Sequence, residues 1–338
     1  MKVMHIDSGL GNQMLAYCEL LAYKKANPED DFYIETMVYD IEQACRTISQ
    51  WNGYELDRVF GIKEKNIKDL FDEPQWKRIL NFVIRSEFWN DNWRYSDAIC
   101  SALNAEGINL KNIYSRPHKP PKKELLTFIT KTRAGYFVKR KIYALFSNKV
   151  IDSRNMYIKS STDDYIGPTL QFSYKNRGIE LLDKEIRQAF SFQDIEDEYN
   201  KNMSKVINNS DSVAIHARRG DMLSANGHYY KFGYFKRAVK FIQSRVPNPT
   251  FFFFCDPGNI EWIKRNLSVF GLKSEEDNIQ YVNGNTGDNS FRDMQLMAQC
   301  KHAIVTNSSF GFWGAYLIDN KNKITCSPDI RINTTYNF

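Results

Sequence analysis

The sequence predicts an α/β protein built on parallel β-sheet, and two observations lead to that prediction. Short apolar runs typical of buried strands alternate with amphipathic stretches of helical length. Polar residues and glycines gather where strands lead into helices, the edge at which parallel sheets bind ligands. They occur at residues 9–13, 216–221, 256 and 307–309. We therefore expect a functional cleft at the carboxyl ends of the strands.

The elements follow in chain order. Residues 2–6 predict a buried strand, which a glycine turn joins to a helical pattern ending near residue 26. After a middle region of mixed periodicity, a second α/β run begins at residue 212. Its predicted strands are 212–219, 249–256, 278–283 and 301–307. Its predicted helices are 229–246, 257–267 with Pro257 at the entrance, 290–300 with Ser290 as cap, and 308–318.

Composition limits the class of protein. The 338 residues are 42% hydrophobic and 25% charged, which is typical of a globular chain of one large or two ordinary domains. The six cysteines are scattered without a CxxC pair, so we expect a reducing cytosol, no disulfide framework and no zinc site. Asp7 interrupts the first apolar run, so no secretory signal is expected, and no later run is long enough to span a bilayer.

The net charge of +6 is unevenly distributed. Residues 116–149 hold ten Lys and Arg against one acid, Glu124, with aromatic residues between them. A solvated helical face is the simplest interpretation. A peripheral contact with an anionic membrane is the second, and an acidic polymer is a further alternative. No nucleic-acid partner is expected.

The stretch "GLGNQM" (9–14) places two glycines where the first strand leads into a helix. Backbone N–H groups there can approach an anion closely, although a turn that simply needs glycine explains the pattern equally well. The third glycine of the dinucleotide fingerprint is replaced by Met14. Asn12 and Gln13 favour a binding role, because exposed amides at a helix start can bind hydroxyl groups.

The stretch "HARRGD" (216–221) allows three interpretations. An adhesion tripeptide requires a secreted protein and is disfavoured. An ion pair of Arg218 or Arg219 with Asp221 would be structural. The third is a grip on a diphosphate, which a guanidinium at a strand end can bind through two hydrogen bonds. The chain contains no Asp-x-Asp metal clip and no Gly-Lys pair of a Walker A loop, so arginines and backbone amides would have to neutralise such a ligand.

Two more groups stand at predicted strand or helix ends. Ser308 and Ser309 are either an ordinary N-cap or hydroxyl donors to a phosphate. Asp293 provides helix-start electrostatics or reads a base edge. His216 and His228 are structural residues, nucleotide contacts or a base.

Together and in this order, "GLGNQM", "HARRGD" and "RDMQLMAQCKHAIVTNSSFGFWGAYL" (292–317) resemble glycosyltransferase family 11, the α-1,2-fucosyltransferases. The resemblance extends from residue 1 to about 318 and is weakest over 50–160. It implies a GT-B-like fold of two Rossmann-like domains facing a cleft. We place the acceptor-side domain at 1–195 and the GDP-fucose-binding domain at 205–338.

The resemblance also implies residue roles. Arg218 would hold the β-phosphate of the leaving GDP, Arg219 and Asp221 would shape the same loop, and Asn12 would face the transferred sugar. His216 and Asp293 would contact guanine, and Ser308, Ser309 and Phe310 would contact the phosphates. Independently of the resemblance, Gly11, Asp256 and Asn307 are also expected donor contacts. Asp221 and His228 are the alternatives for the general base, with Asp221 preferred.

The activity implied is metal-independent and inverting, with no cofactor. L-Fucose would pass from GDP-β-L-fucose to the 2-hydroxyl of a terminal galactose in an oligosaccharide or surface-glycan precursor. A related fucosyltransferase of other linkage or acceptor, and a non-catalytic nucleotide-sugar or glycan-binding module, are the alternatives. A cytoplasmic bacterial enzyme is expected, docked through residues 116–149 to the inner face of the plasma membrane if that stretch binds lipid.

Overall fold

The structure is a computed structural model that describes residues 1–47, 52–90, 94–113, 132–139, 141–142, 145, 161–167, 182–220, 222–328 and 336–337. The chain forms two compact units. The first lies within Met1–Pro121, Ile151–Phe172 and Leu181–Ser191, and the second within Lys122–Val150, Ser173–Glu180 and Phe192–Phe338.

The first unit is built on a three-stranded parallel sheet of β1 (Lys2–His5), β2 (Phe32–Glu35) and β3 (Tyr165–Ile166), with β1 in the centre. Strand β1 is buried along its whole length and leads into the long helix α1 (Leu10–Ala26), as the sequence predicts. The other α-helices among the described residues of this unit are α2 (Glu42–Thr47), α3 (Leu56–Phe60), α4 (Glu73–Arg85), α5 (Ser96–Ala105) and α6 (Asp183–Ala189).

The second unit contains a six-stranded parallel sheet. Its strands are β4 (Ser212–Ala217), β5 (Thr250–Cys255), β6 (Asn278–Val282), β7 (His302–Ile304), β8 (Thr325–Ser327) and β9 (Tyr336–Asn337). The order β6-β5-β4-β7-β8-β9 is that of dinucleotide-binding folds, with the switch point beside β4. The α-helices of this unit from residue 192 onwards are α7 (Glu198–Asn208), α8 (Leu223–Lys231), α9 (Tyr234–Gln243), α10 (Ile260–Arg265), α11 (Leu267–Phe270), α12 (Phe291–Gln299) and α13 (Ser309–Leu317), and residues 133–139 are helical as well.

The α/β fold with parallel sheets is confirmed. In the second run β8 and β9 were not predicted, β4 and β7 end earlier than expected, and two of the helices differ from prediction. The helix predicted over 229–246 is broken at Gly233, which adopts φ 71° in the left-handed region that glycine tolerates. The helix predicted to start at Pro257 starts at Ile260. Among the described residues no helix is long and apolar enough to cross a membrane.

Candidate active site

The loop that follows β4 is held by one carboxylate, that of Asp256 just after β5. Arg219 and Gly220 donate their backbone N–H groups to Asp256 Oδ2 at 2.7 and 2.8 Å. The other oxygen, Asp256 Oδ1, lies 2.5 Å from Nη1 of Arg218. A Cβ on Gly220 would lie 3.1 Å from the Asp256 side chain, so glycine allows this close approach. The carboxylate is almost fully buried, and it fixes the guanidinium of Arg218, which stays 23% exposed.

The two arginines of the motif therefore have different surroundings. Arg219 places its guanidinium 3.4 Å from the ring centre of Trp262 and 5.3 Å from that of Tyr230. Such stacking orients a cation and stabilises it. Tyr230 also donates its hydroxyl to the carbonyl of Arg218 at 3.1 Å. Both arginines are partly exposed, but Arg218 is paired with Asp256, whereas Arg219 stacks on Trp262 and helps to anchor the loop.

The ion-pair partner that the sequence suggested, Asp221, lies outside the described residues, and Asp256 is the carboxylate that pairs with Arg218.

His216 lies on β4 and is 4% exposed. Its ring stacks on Phe310 at 5.7 Å, and a Cβ on Gly311 would lie 2.5 Å from its Nδ1. Burial and the positive charge of Arg218 lower the pKa of His216 to about 3, so the imidazole is neutral at physiological pH. A neutral imidazole in this position acts as a hydrogen-bonding group rather than as a charge.

Several buried polar atoms at this edge of the sheet have no hydrogen-bond partner. Within the described part of the chain they include His216 Nδ1, Arg219 Nε and Thr306 Oγ1, which come from the ends of β4 and β7 or just after them. Buried polar atoms in folded proteins are nearly always paired, and exceptions frequently mark functional sites. The carboxyl edge of β4 and β7 therefore lacks partners that a polar ligand can supply.

The start of α13 follows β7. Ser308 occupies the N-cap position as predicted, but its side chain makes no capping hydrogen bond. Ser308, Ser309 and Phe310 are partly exposed, and Asn307 before them is exposed. Backbone N–H groups in the first turn of a helix are suited to bind an anion.

A cavity of ≈ 250 Å³ lies at the carboxyl ends of β5 and β6, with Asp256, Asn285 and Asp293 among its lining residues. Asp293, in the first turn of α12, accepts a hydrogen bond from Nδ2 of Asn285 at 2.8 Å. Asn285 exchanges two further hydrogen bonds with Asn200, at 2.8 and 2.9 Å. Burial raises the pKa of Asp293 to about 7, against the smaller effect of the Asn285 hydrogen bond. The sequence suggested Asp293 but not the two asparagines, because they meet across 85 residues.

The remaining predicted residues are on α8 and α1. His228 is on α8, with its ring centre 4.4 Å from that of Tyr136, and burial together with Lys139 lowers its pKa to about 4. Gly11 and Asn12 are in the first turn of α1, where Gly11 is buried and Asn12 partly so.

Gln13 is fully buried, contrary to the exposed amide expected at the start of α1. Its Nε2 donates to the carbonyls of Ser8 and Gly53, and its Oε1 accepts from the N–H of Glu55. The amide thus connects backbone segments and is not presented to a ligand.

The first unit has its own polar cluster, which the sequence interpretation missed. His5 is completely buried, with Nδ1 2.5 Å from Oε2 of Glu35 and Nε2 3.5 Å from Oδ2 of Asp7. Tyr165 donates its hydroxyl to Glu35 at 3.0 Å. Burial opposes the charge on His5, but the two carboxylates outweigh it and raise its pKa to about 9. The sequence feature that could have indicated this cluster is the presence of His5 and Asp7 within the first apolar run.

Comparison with known proteins follows the same division of the chain. Residues 198–329 match the model of glycosyl transferase family 11. Over 133 residues the chain is 35% identical to an alpha-1,2-colitosyltransferase of Escherichia coli, covering 38% of this chain and 43% of that protein. Over 110 residues it is 28% identical to galactoside alpha-(1,2)-fucosyltransferase 1 of Homo sapiens, covering 31% and 28%. The chain spans less than half the length of these relatives. The resemblance to family 11 is confirmed over 198–329, and "GLGNQM" lies outside that match.

Among solved structures, the alpha-1,6-fucosyltransferase NodZ soaked with GDP-fucose matches with a TM-score of 0.42 and 12% identity, over 94% of this chain and 91% of that one. A structural similarity at this level does not identify the linkage that this chain would form or the donor that it would use.

Proposed function

We propose that the chain is an inverting fucosyltransferase that moves L-fucose from GDP-β-L-fucose to the 2-hydroxyl of a terminal galactose, without a metal ion. The observation that carries this proposal is the edge formed by β4, β7 and α13. At this edge Arg218 is held by Asp256, and several buried polar atoms have no hydrogen-bond partner. In addition, the side chain of Ser308, at the N-cap position of α13, makes no capping hydrogen bond. That combination suits an anionic ligand with several hydrogen-bond acceptors.

In the proposed reaction, the bond between fucose C1 and the β-phosphate oxygen breaks while C1 bonds to the galactose 2-oxygen. Negative charge grows on the departing diphosphate, and the fixed guanidinium of Arg218 stabilises it more in the transition state than in the ground state. The hydroxyls of Ser308 and Ser309 and the first N–H groups of α13 share that charge. Arg218 fills the role that a divalent cation fills in other sugar-nucleotide enzymes.

The hydroxyl proton must leave the acceptor, and Asp221 stays the preferred general base. The pKa of about 4 at His228 makes its imidazole a weaker proton acceptor than an ordinary histidine. A dissociative transition state, with the sugar near an oxocarbenium ion, needs little help from a base. In our proposal the cavity beside Asp293 receives the guanine, whose N–H groups are donors that match a carboxylate.

The test is transfer from GDP-fucose to lactose by the purified full chain, with and without EDTA, and with the product linkage read by NMR. Fucose α-linked to the galactose 2-oxygen, formed equally in EDTA, supports the proposal. Loss of transfer in EDTA contradicts the metal-free mechanism. Binding of GDP-fucose without turnover, even with a panel of galactosides, identifies a binding module instead.

The 35% identity to a protein named alpha-1,2-colitosyltransferase supports GDP-colitose as a second candidate donor. Colitose is fucose without its 3-hydroxyl, and the same grip on a guanosine diphosphate serves both sugars. Parallel assays with GDP-fucose and GDP-colitose at equal concentration decide between them by the ratio of kcat/KM.

A further inference from the structure

A short helical segment packs on the core of the second unit through one tyrosine. Residues 133–139, 141–142 and 145 are helical, and Thr132 caps the start by accepting the N–H of Gly135 on Oγ1 at 3.1 Å. The ring of Tyr136 lies 4.4 Å from that of His228 and 5.8 Å from that of Phe232, measured between ring centres. This contact determines which side of the segment faces the protein.

The opposite side of the segment presents apolar side chains to solvent. Val138 is 59% exposed, Ile142 49% and Leu145 75%. At about 100° per residue, these three positions lie roughly 180–240° around the helix from Tyr136. Their spacing of four and three residues places them together on one face. We call Val138, Ile142 and Leu145 the apolar triad.

Positive charge borders the triad. Lys141 and Lys139 are exposed and lie roughly 40° and 60° around the helix from the two edges of the triad. The surrounding sequence, 116–149, carries ten Lys and Arg and a single acid. An apolar strip bordered by lysines and arginines is the pattern of helices that lie in a membrane surface, with apolar side chains among the acyl chains and cations at anionic headgroups.

We propose that the apolar triad and its basic border dock the second unit onto an anionic phospholipid surface. The charge argues against a second copy of this chain as the occupant, because two such faces would bring like charges together. The proposal is independent of the enzymatic activity, since it rests on the exposure and charge of this segment alone.

The experiment is co-sedimentation of the purified full chain with vesicles of phosphatidylglycerol and phosphatidylcholine mixed, or of phosphatidylcholine alone. We expect binding to the anionic vesicles to be at least about tenfold stronger and to weaken with salt. Equal binding to both kinds of vesicle, or none to either, overturns the proposal.

Two variants assign the binding to this face. Replacing the triad together, as Val138→Ser, Ile142→Ser and Leu145→Ser, is expected to lower binding to anionic vesicles about tenfold or more. The matched control is Val206→Ser, which changes an apolar side chain 43% exposed on α7 and should bind as wild type. Circular dichroism verifies that both variants fold.

A triad variant that binds as wild type contradicts the proposal. So does a triad variant that changes the sedimentation coefficient in the absence of lipid, since the face would then be a contact between copies.

Discussion

Both sheets place a histidine near the carboxyl end of their central strand, but the two imidazoles have opposite surroundings. His5, at the end of β1, lies between the carboxylates of Glu35 and Asp7, and its pKa is raised to about 9. His216, near the end of β4, lies beside Arg218, and its pKa is lowered to about 3. At the end of β1, two carboxylates surround a protonated histidine. At the end of β4, a neutral histidine lies beside the partly exposed cation of Arg218. The same position in a parallel sheet therefore serves internal structure in one unit and, in our proposal, an anionic ligand in the other.

The largest expected effect comes from removing the cation of the second edge. Arg218→Ala should lower kcat for transfer by on the order of 10²–10³, the usual cost of one donor that stabilises a developing negative charge. The matched control is Arg265→Ala, which removes an arginine at the end of α10 and should leave the rate unchanged. An Arg218→Ala variant with wild-type kcat would remove the basis for assigning the second edge to the diphosphate.

Asp256→Asn sharpens the same point, because it keeps an oxygen for the two N–H groups and deletes the charge that fixes Arg218. We expect a loss of roughly tenfold, smaller than that of Arg218→Ala, with unchanged circular dichroism. An equal or larger loss would place the carboxylate itself in the reaction.

A pH effect of intermediate size is expected at Asp293. Its pKa of about 7 means that the carboxylate becomes protonated as the pH falls below 7, and a protonated carboxyl accepts hydrogen bonds from guanine less well. The Kd for GDP, measured by calorimetry, should therefore rise by about tenfold between pH 8 and pH 5.5. Asp293→Asn should bind GDP more weakly at pH 8 and lose most of that dependence. A variant that keeps the full pH dependence would assign it to another group.

The two histidines should also make stability depend on pH in opposite directions. His5, whose folded pKa is raised, stabilises the fold fully below about pH 6.5, and that contribution is lost as the pH rises through about 9. His216, whose folded pKa is lowered, stabilises above about pH 6.5 by this linkage, and that contribution is lost as the pH falls towards 3. Each contribution is roughly 3–5 kcal/mol.

Urea unfolding of His5→Gln and His216→Gln against wild type, between pH 5 and pH 9, measures both effects. The stability difference from wild type should shrink at high pH for His5→Gln and at low pH for His216→Gln. If the stability difference from wild type changed with pH in the same way for both variants, the contrast between the two sheet edges would not be electrostatic.

The smallest effect is expected at Arg219, the neighbour of Arg218. Its guanidinium stacks on Trp262, and such contacts are worth about 0.5–2 kcal/mol. Arg219→Ala should lower kcat/KM by roughly tenfold or less through a looser loop, and Trp262→Leu should resemble it. A loss at Arg219 as large as that at Arg218 would show that both arginines hold the diphosphate directly.

Strands and motif positions were predictable because they depend on local patterns. An unbroken apolar run such as 251–254 has to be buried, and the polar residues that follow it then lie at the strand end. The break at Gly233 was hidden because the apolar periodicity continues on both sides of it.

Pairings between distant residues were not predictable from the sequence. Asp256 holds the arginine loop across 37 residues, and His5 meets Glu35 only because the two are register partners in β1 and β2. Gln13 was misjudged for a similar reason, since its partners Gly53 and Glu55 lie about forty residues away.

The approach of Gly311 to His216 links two positions that are 95 residues apart in the chain. Any side chain at 311 would begin 2.5 Å from Nδ1 of the imidazole, closer than non-bonded atoms allow. An alanine at 311 is therefore compatible only with a smaller residue at 216 or with a shift of α13 away from β4. The histidine thus constrains position 311 more than the glycine constrains position 216, and among relatives that keep the histidine we expect glycine at the position of Gly311.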